Sequence, residues 1–225
     1  MARSMNFARG TIRSSPYVGV FCSATDDFAL VPHSILPNEL RMVEQKLEAR
    51  AVKATIGNSG LLGVLAKGIG NKFAVSGLAE KDEVRALEKA GIDVLAMQEN
   101  FTATGNLLAL NSNGGVASPL FSEHAVKDIS KFLGLKFEVS KLAGSDLAGA
   151  CVTVTNIGFI ANPNISEKEF KRLEEIFYVN GRATTANFGD LFVGNCVVAN
   201  SKGVIVGEKT SGIELTKIDE GLRGD

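Results

Sequence analysis

Gly105–Pro119 reads GNLLALNSNGGVASP, and Gly194–Gly207 reads GNCVVANSKGVIVG. Each has Gly-Asn, four mostly apolar residues, Asn-Ser, one further residue and then Gly. Self-similarity at a fixed separation marks a repeat architecture. The opening glycine recurs at Gly19, Gly63, Gly105, Gly149 and Gly194, spaced by 44, 42, 44 and 45 residues. The runs behind it are VFCSA, VLAKG, NLLAL, ACVTV and NCVVA, short and mostly apolar, as expected of strands covered on both faces.

A turn follows each run. Asn200-Ser-Lys-Gly203, Asn111-Ser-Asn-Gly114 and Thr155-Asn-Ile-Gly158 end on Gly, which predicts hairpin loops with a left-handed glycine. A second strand comes next (FALV, FAV, GVAS, FIA, VIV) and stops near Pro32, Ser76, Pro119, Pro163 and Gly207. Then comes a helix, with Leu40/Val43/Leu47, Val84/Leu87, Val126/Ile129/Leu133, Phe170/Leu173/Phe177 and Leu215/Ile218/Leu222 on one face. Ser166-x-x-Glu169 and Ser211-x-x-Glu214 read as capping boxes, and Gly91 and Gly134 as C-terminal glycines. A third strand is predicted at Val52–Ile56, Val94–Gln98, Glu138–Leu142 and Ala183–Asn187.

The fifth helix has no strand after it, whereas Ala8–Ile12 stands at strand distance before Gly19 with no helix before it. The expected fold is therefore α/β: a closed ring of five ββαβ repeats with pseudo-five-fold symmetry, the N-terminal strand completing the fifth repeat and removing the sheet edge. One domain is expected over 1–225, with repeats at about 13–56, 57–98, 99–142, 143–187 and 188–225 plus strand 8–12.

The bulk numbers restrict function. The chain has 225 residues, 45% apolar and 22% charged, and a net charge of −1, so no global positive field draws it to DNA or to acidic membranes. Three cysteines make no disulfide framework, and no apolar run is long enough for a membrane span, so a cytoplasmic location is expected. Cys151 and Cys196 fall in a slot that holds Phe21, Leu65 and Leu107 in the other units, and Cys22 falls one place later among Ala66, Leu108, Val152 and Val197. All three read as core residues rather than activated thiolates. His33 reads as a loop residue and His124 as solvated; no zinc spacing and no phosphate-binding glycine loop is present, so no cofactor or metal is expected.

Asn106 and Asn195 directly follow their glycines, where Val20, Val64 and Ala150 stand in the other units. Asn opening an apolar strand needs a partner. Two readings stay open: a hydrogen bond to a neighbouring turn, or a contact at one mouth of the ring. Arg3, Arg9 and Arg13 make the N-terminus locally basic, which reads as a solvated terminus.

Thr102-Ala-Thr-Gly-Asn106, Ala199-Asn-Ser-Lys-Gly203, Thr210-Ser-Gly-Ile-Glu-Leu215 and Ala54-Thr-Ile-Gly-Asn-Ser-Gly-Leu-Leu-Gly63, in this order over five units, resemble the archaeal and eukaryotic translation initiation factor 6 family. The resemblance implies a pentein fold and a non-enzymatic monomer that binds the large ribosomal subunit and sterically blocks its joining to the small one. It implies contact with an L14-type ribosomal protein near the sarcin–ricin loop, and release by an elongation-factor-like GTPase with the Shwachman–Bodian–Diamond syndrome protein. The ring-mouth positions Asn106, Asn195, Val20, Val64 and Ala150 are then candidate partner contacts. Three departures stand out: Gly70–Ser76 reads as a shortened hairpin, Ile213 replaces a usual Pro, and Val64 replaces a basic residue common in eukaryotic members. The C-terminal extension typical of eukaryotic members is missing, so the archaeal branch is expected. The same fold hosts guanidine-modifying enzymes, so a Cys-dependent guanidine-group hydrolase is the alternative, and a scaffold with another partner is a third.

Overall fold

The computed structural model describes residues 6–224. After β1 (Asn6–Gly10), unit one comprises α1 (Val18–Phe21), β2 (Ser23–Ala24), β3 (Phe28–Pro32), α2 (Pro37–Leu47) and β4 (Arg50–Ala54). Unit two has α3 (Leu62–Leu65), β5 (Ala66–Ile69), β6 (Lys72–Val75), α4 (Lys81–Lys89) and β7 (Asp93–Ala96). Unit three has α5 (Thr104–Leu107), β8 (Leu108–Leu110), β9 (Gly115–Ala117), α6 (Glu123–Leu133) and β10 (Phe137–Val139). Unit four has α7 (Ala148–Cys151), β11 (Val152–Val154), β12 (Phe159–Ala161), α8 (Glu167–Phe177) and β13 (Gly181–Ala183). Unit five has α9 (Val193–Cys196), β14 (Val197–Ala199), β15 (Gly203–Gly207) and α10 (Gly212–Arg223).

Each unit contributes one three-stranded sheet, in which the second strand pairs antiparallel with the first and parallel with the third across the helical crossover. The fifth sheet takes its third strand from the start of the chain: β1 runs parallel to β15, Asn6 opposite Gly203 and Gly10 opposite Gly207. The ring closes as the sequence pattern predicts.

Packing shows why a unit needs neighbours. Each of the five hydrophobic clusters draws mainly on one unit and borrows from the preceding one. Val198 and Ile205 of unit five sit in the cluster of Val18, Val31 and Val43 in unit one; Leu30 of unit one sits with Phe73 and Leu87 of unit two. The expected helix faces are the buried ones, and Ser166 and Ser211 form capping boxes with Glu169 and Glu214.

Four expectations need correction. The glycine-led runs do not begin as strands: each opens with a four-residue helical turn, and only the residues behind it pair. The third strands lie earlier than predicted, β1 at Asn6–Gly10 rather than Ala8–Ile12, because Ile12, Ile56, Leu142 and Ala186 instead bridge to Ser15, Ser59, Ser145 and Asp190 across a tight turn. Gly114, Gly158 and Gly203 are not left-handed; a side chain is excluded there by Ile176, Gly221 and Lys46 carbonyls of neighbouring helices. Finally, the unit-two hairpin is not short. Ala66 pairs with Val75 as Leu108 pairs with Ala117. The crossover is where residues are missing: Ala74 pairs with Leu95, 21 residues on, where Val116 pairs with Glu138, 22 on. The other loss falls at the junction after β7.

Candidate functional site

The five short helices surround the pseudo-five-fold axis. A Cβ on Gly63 would strike the carbonyl of Gly19, and those on Gly105, Gly149, Gly194 and Gly19 would strike the carbonyls of Gly63, Gly105, Gly149 and Gly194. Each glycine thus lies against the one before it, and the fifth lies against the first's side of the ring. Only a residue without a side chain lets five backbones approach this closely.

Away from this glycine ring the axis is bound by hairpin loops. Asn200 Nδ2 donates to the carbonyls of Thr25 and Leu47, at 3.0 and 2.8 Å. Asn111 Nδ2 donates to those of Thr155 and Phe177, at 3.0 and 2.9 Å. The repeated Asn-Ser of units three and five is therefore a clamp onto the loop and helix end of the next unit. Units one and four, which receive the clamp, carry Thr25 and Thr155 in the same slot. Asp26 ties three units: Oδ1 accepts from the Ser201 backbone N–H at 2.7 Å, and Oδ2 accepts from Ser201 Oγ and from Asn156 Nδ2, both at 2.9 Å.

The opposite face carries the junctions between units. Four of them are tight turns with consecutive left-handed residues: Arg13–Ser14, Gly57–Asn58, Ala143–Gly144 and Asn187–Phe188–Gly189. The third residue of the next helix latches each turn. Glu83 accepts from the N–H groups of Gly57 and Asn58, Glu169 from that of Ala143, Glu214 from those of Phe188 and Gly189, and Glu39 from that of Ser14. Burial alone would raise the Glu214 carboxyl, but donors from Ser211, Thr185 and Gly189 outweigh it and hold it at about 2. Glu83 and Glu169 are likewise held below the usual carboxylate value against the effect of burial. The remaining junction has no such turn, and there Ala125 occupies the latch position while Ser122 donates to Glu99 at 2.5 Å.

This junction face is also the apolar one. Of the eleven exposed large hydrophobic residues among the described residues, Tyr17, Leu36, Leu61, Leu78, Phe101, Val139, Phe188, Leu191 and Ile213 lie on it; Ile157 and Tyr178 lie at the hairpin end. Phe188 is 85% exposed and sits at φ 67°, so a bulky ring is held in water on a strained backbone. Strain of this kind, about 1–3 kcal/mol, collects at functional sites.

The sequence-named positions directly follow the ring glycine, as the third residue of each short helix. Val20, Val64, Asn106 and Asn195 are half-buried, and Ala150 is fully buried. The side chains of Asn106 and Asn195 donate to and accept from no protein group among the described residues, and Asn195 Oδ1 is buried without a partner. The local-turn explanation for these two asparagines therefore fails, and Asn106 lines the axial cavity. Of the basic N-terminus, Arg9 donates to the Thr210 carbonyl and Arg13 lies over the Phe21 ring at 5.6 Å, so both are tied to the protein; Arg3 lies outside the described residues.

All three cysteines are buried. Burial, helped by Asp190, pushes the Cys196 thiol up to about 12, and burial raises Cys22 and Cys151 as well. A thiol so placed stays protonated and is a poor nucleophile. Cys151 Sγ points at the Leu142 carbonyl, while His33 is exposed and His124 pairs with Asp128 at 3.2 Å. Among the described residues no hydrogen bond joins a cysteine to a histidine, the pairing by which a cysteine nucleophile is activated. No helix among the described residues is long and apolar enough to cross a membrane.

Sequence reasoning missed Phe188 and the latched turns. An aromatic followed by Gly, just after a predicted strand, gives no periodic signal; the recurrent Glu at the helix third position was the available clue.

Comparison with known proteins places these features. Over 224 residues the chain is 34% identical to translation initiation factor 6 of Pyrococcus abyssi, covering 97% of this chain and 99% of the relative. It is 38% identical over 214 residues to translation initiation factor 6 of Methanobrevibacter smithii, covering 95% and 96%. Among solved structures it is similar to a dimethylarginine dimethylaminohydrolase in adduct with S-methyl-L-thiocitrulline, at 16% identity and a TM-score of 0.42, over 91% of this chain and 72% of that one. A sequence model described as the eIF-6 family matches residues 7–221. With a match of this extent and relatives of this identity, the chain belongs to the eIF-6 family of translation initiation factors.

Proposed function

We propose that the protein is an anti-association and assembly factor of the large ribosomal subunit, and that it docks through the junction face. The observation that carries the assignment of the face is the one-sided distribution of exposed apolar side chains at the junctions between units. Scattered apolar residues are ordinary on a surface, but their concentration on one side marks an interaction site. With a net charge of −1, affinity comes from shape and an apolar patch more than from the phosphate field. The partner is an L14-type ribosomal protein near the sarcin–ricin loop, and the seated ring obstructs the approach of the small subunit. Release falls to an elongation-factor-like GTPase acting with the Shwachman–Bodian–Diamond syndrome protein. The factor itself does no covalent chemistry.

Sedimentation with purified archaeal subunits tests the reading. Co-migration with the large subunit and fewer joined ribosomes are expected. Phe188→Gly should weaken co-migration about 10- to 100-fold, the range of an aromatic hot spot. Glycine accepts the left-handed turn without strain, so a lost interaction cannot be blamed on misfolding. Asn106→Ala should weaken it as well. Folded protein that stays at the top of the gradient removes the proposal.

A further inference from the structure

Between the glycine ring and the hairpin loops lies an axial cavity of about 40 Å³, lined by Gly19, Gly63, Gly105, Gly149 and Gly194 and by Ser23, Lys67, Asn106 and Thr153. It shares Ala24, Gly68, Leu110, Val154 and Ala199 with a second compartment of about 50 Å³ toward the hairpin loops. The slot four residues past each ring glycine holds Ser23, Lys67, Ala109, Thr153 and Val198. Four are small or apolar, and one is a long cation.

Lys67 has no carboxylate, carbonyl or hydroxyl partner among the described residues. Thr153 is 5% exposed, and its Oγ1 is buried without a hydrogen-bond partner. Ser23 Oγ is already committed to the Ala66 carbonyl at 2.9 Å. No Asp or Glu lines this cavity among the described residues. The acid lining the adjoining compartment, Asp26, spends both oxygens on Ser201 and Asn156. Burial pulls the Lys67 ammonium down to about 8, which leaves it charged at neutral pH. Lys67 is half-buried, and an ammonium facing so narrow a cavity with no acid beside it favours an anionic partner there. Water can satisfy the Thr153 hydroxyl, but it leaves the charge uncompensated.

We propose that the axial cavity is a binding site for one small inorganic monovalent anion of the halide class, held between the Lys67 ammonium and the Thr153 hydroxyl. A volume of about 40 Å³ suits chloride or bromide, alone or with a water molecule. The ion is a fixed counter-charge on the symmetry axis, so it stabilises the closed ring. It belongs to unit two's departure from symmetry, since no other unit offers a cation in this slot.

Refolding the whole chain in sodium bromide, followed by crystallography at the bromine absorption edge, reads the site directly. An anomalous peak on the axis at ion-pair distance from Lys67 Nζ is the expected result; a map with no axial peak overturns the proposal. In solution, exchanging gluconate for bromide at constant ionic strength should raise the unfolding midpoint of the native protein by about 2–4 °C, and that of Lys67→Met not at all. An equal rise in both proteins overturns the proposal too. If Lys67→Met fails to fold, Thr153→Val, which removes only the hydroxyl, should show a reduced rise, and an undiminished one counts against the site.

Discussion

Placing a methyl group on the glycine ring tests the architecture most sharply. In Gly63→Ala the new Cβ would stand 2.6 Å from the Cys22 carbonyl oxygen and closer still to that of Gly19. Both obstacles are backbone, and both belong to a neighbouring unit pressed against the next. Relief requires opening a seam or displacing a short helix, since no side chain can rotate away. Overpacking a tight site costs about 1–3 kcal/mol and occasionally more, and rigid neighbours on both sides put this case at the upper end, about 3 kcal/mol. For a chain of this size that is a fall of about 6–12 °C in the unfolding midpoint. Urea denaturation measures the free energy, with Gly212→Ala as the control. Gly212 opens α10 with nothing near its prospective Cβ, so alanine there should leave stability unchanged or raise it by up to about 1 kcal/mol. Repeating the substitution at Gly19, Gly105, Gly149 and Gly194 samples every seam. If Gly63→Ala behaves like the control, the backbones do not approach as described; if a single one of the five is tolerant, the ring is open at that seam.

Asn200→Ala should cost about 2–4 kcal/mol, because it leaves the buried carbonyls of Thr25 and Leu47 without their donor; Asn111→Ala should behave alike, and a loss under 0.5 kcal/mol in chemical denaturation at either site would refute the clamp. The latch carboxylates predict an acid-sensitive ring. A carboxyl whose folded value lies below its unfolded one contributes stability that is complete above about 4.5 and disappears as pH falls toward about 2, so Glu214 supplies at most about 3 kcal/mol near neutrality. Glu214→Gln should flatten the stability–pH curve between those limits, and an unchanged curve would show that the latch carries no linkage. The native thiols should react with iodoacetamide many-fold more slowly than those of the urea-unfolded chain, and fast labelling of one native cysteine would reopen the hydrolase reading.

Much of this fold was legible because five copies repeat one period and the apolar positions keep it. Even the missing fifth partner was readable, since Ala8–Ile12 stood at the right distance from Gly19. Local detail was lost where context overrides pattern. VFCSA and NCVVA have strand composition, yet their first residues coil because the glycines must meet at the axis. Gly114 and Gly203 looked like turn glycines, but the nearby helix-end carbonyl that requires them belongs to another part of the ring. The 42-residue unit invited a short hairpin, whereas the losses fall in the crossover through α4, two residues shorter than α2, and in the junction after β7. At the site, Asn106 and Asn195 announced themselves as polar residues in an apolar slot. Lys67 broke its slot just as plainly, Ser, Lys, Ala, Thr and Val being read in register, and passed unnoticed because a lysine near a turn looks solvated. Phe188 broke no pattern, and only its exposure on a left-handed turn reveals it.

The pairing of Asn6 with Gly203 has a consequence for biogenesis. β1 leaves the polypeptide exit tunnel long before its partner β15, its backbone groups meanwhile open to wrong partners. Contacts this distant in sequence make for slow, late consolidation. A permuted gene in which the segment before Gly19 is moved behind α10 would let every sheet finish in turn, and such a protein should fold faster than the natural order allows.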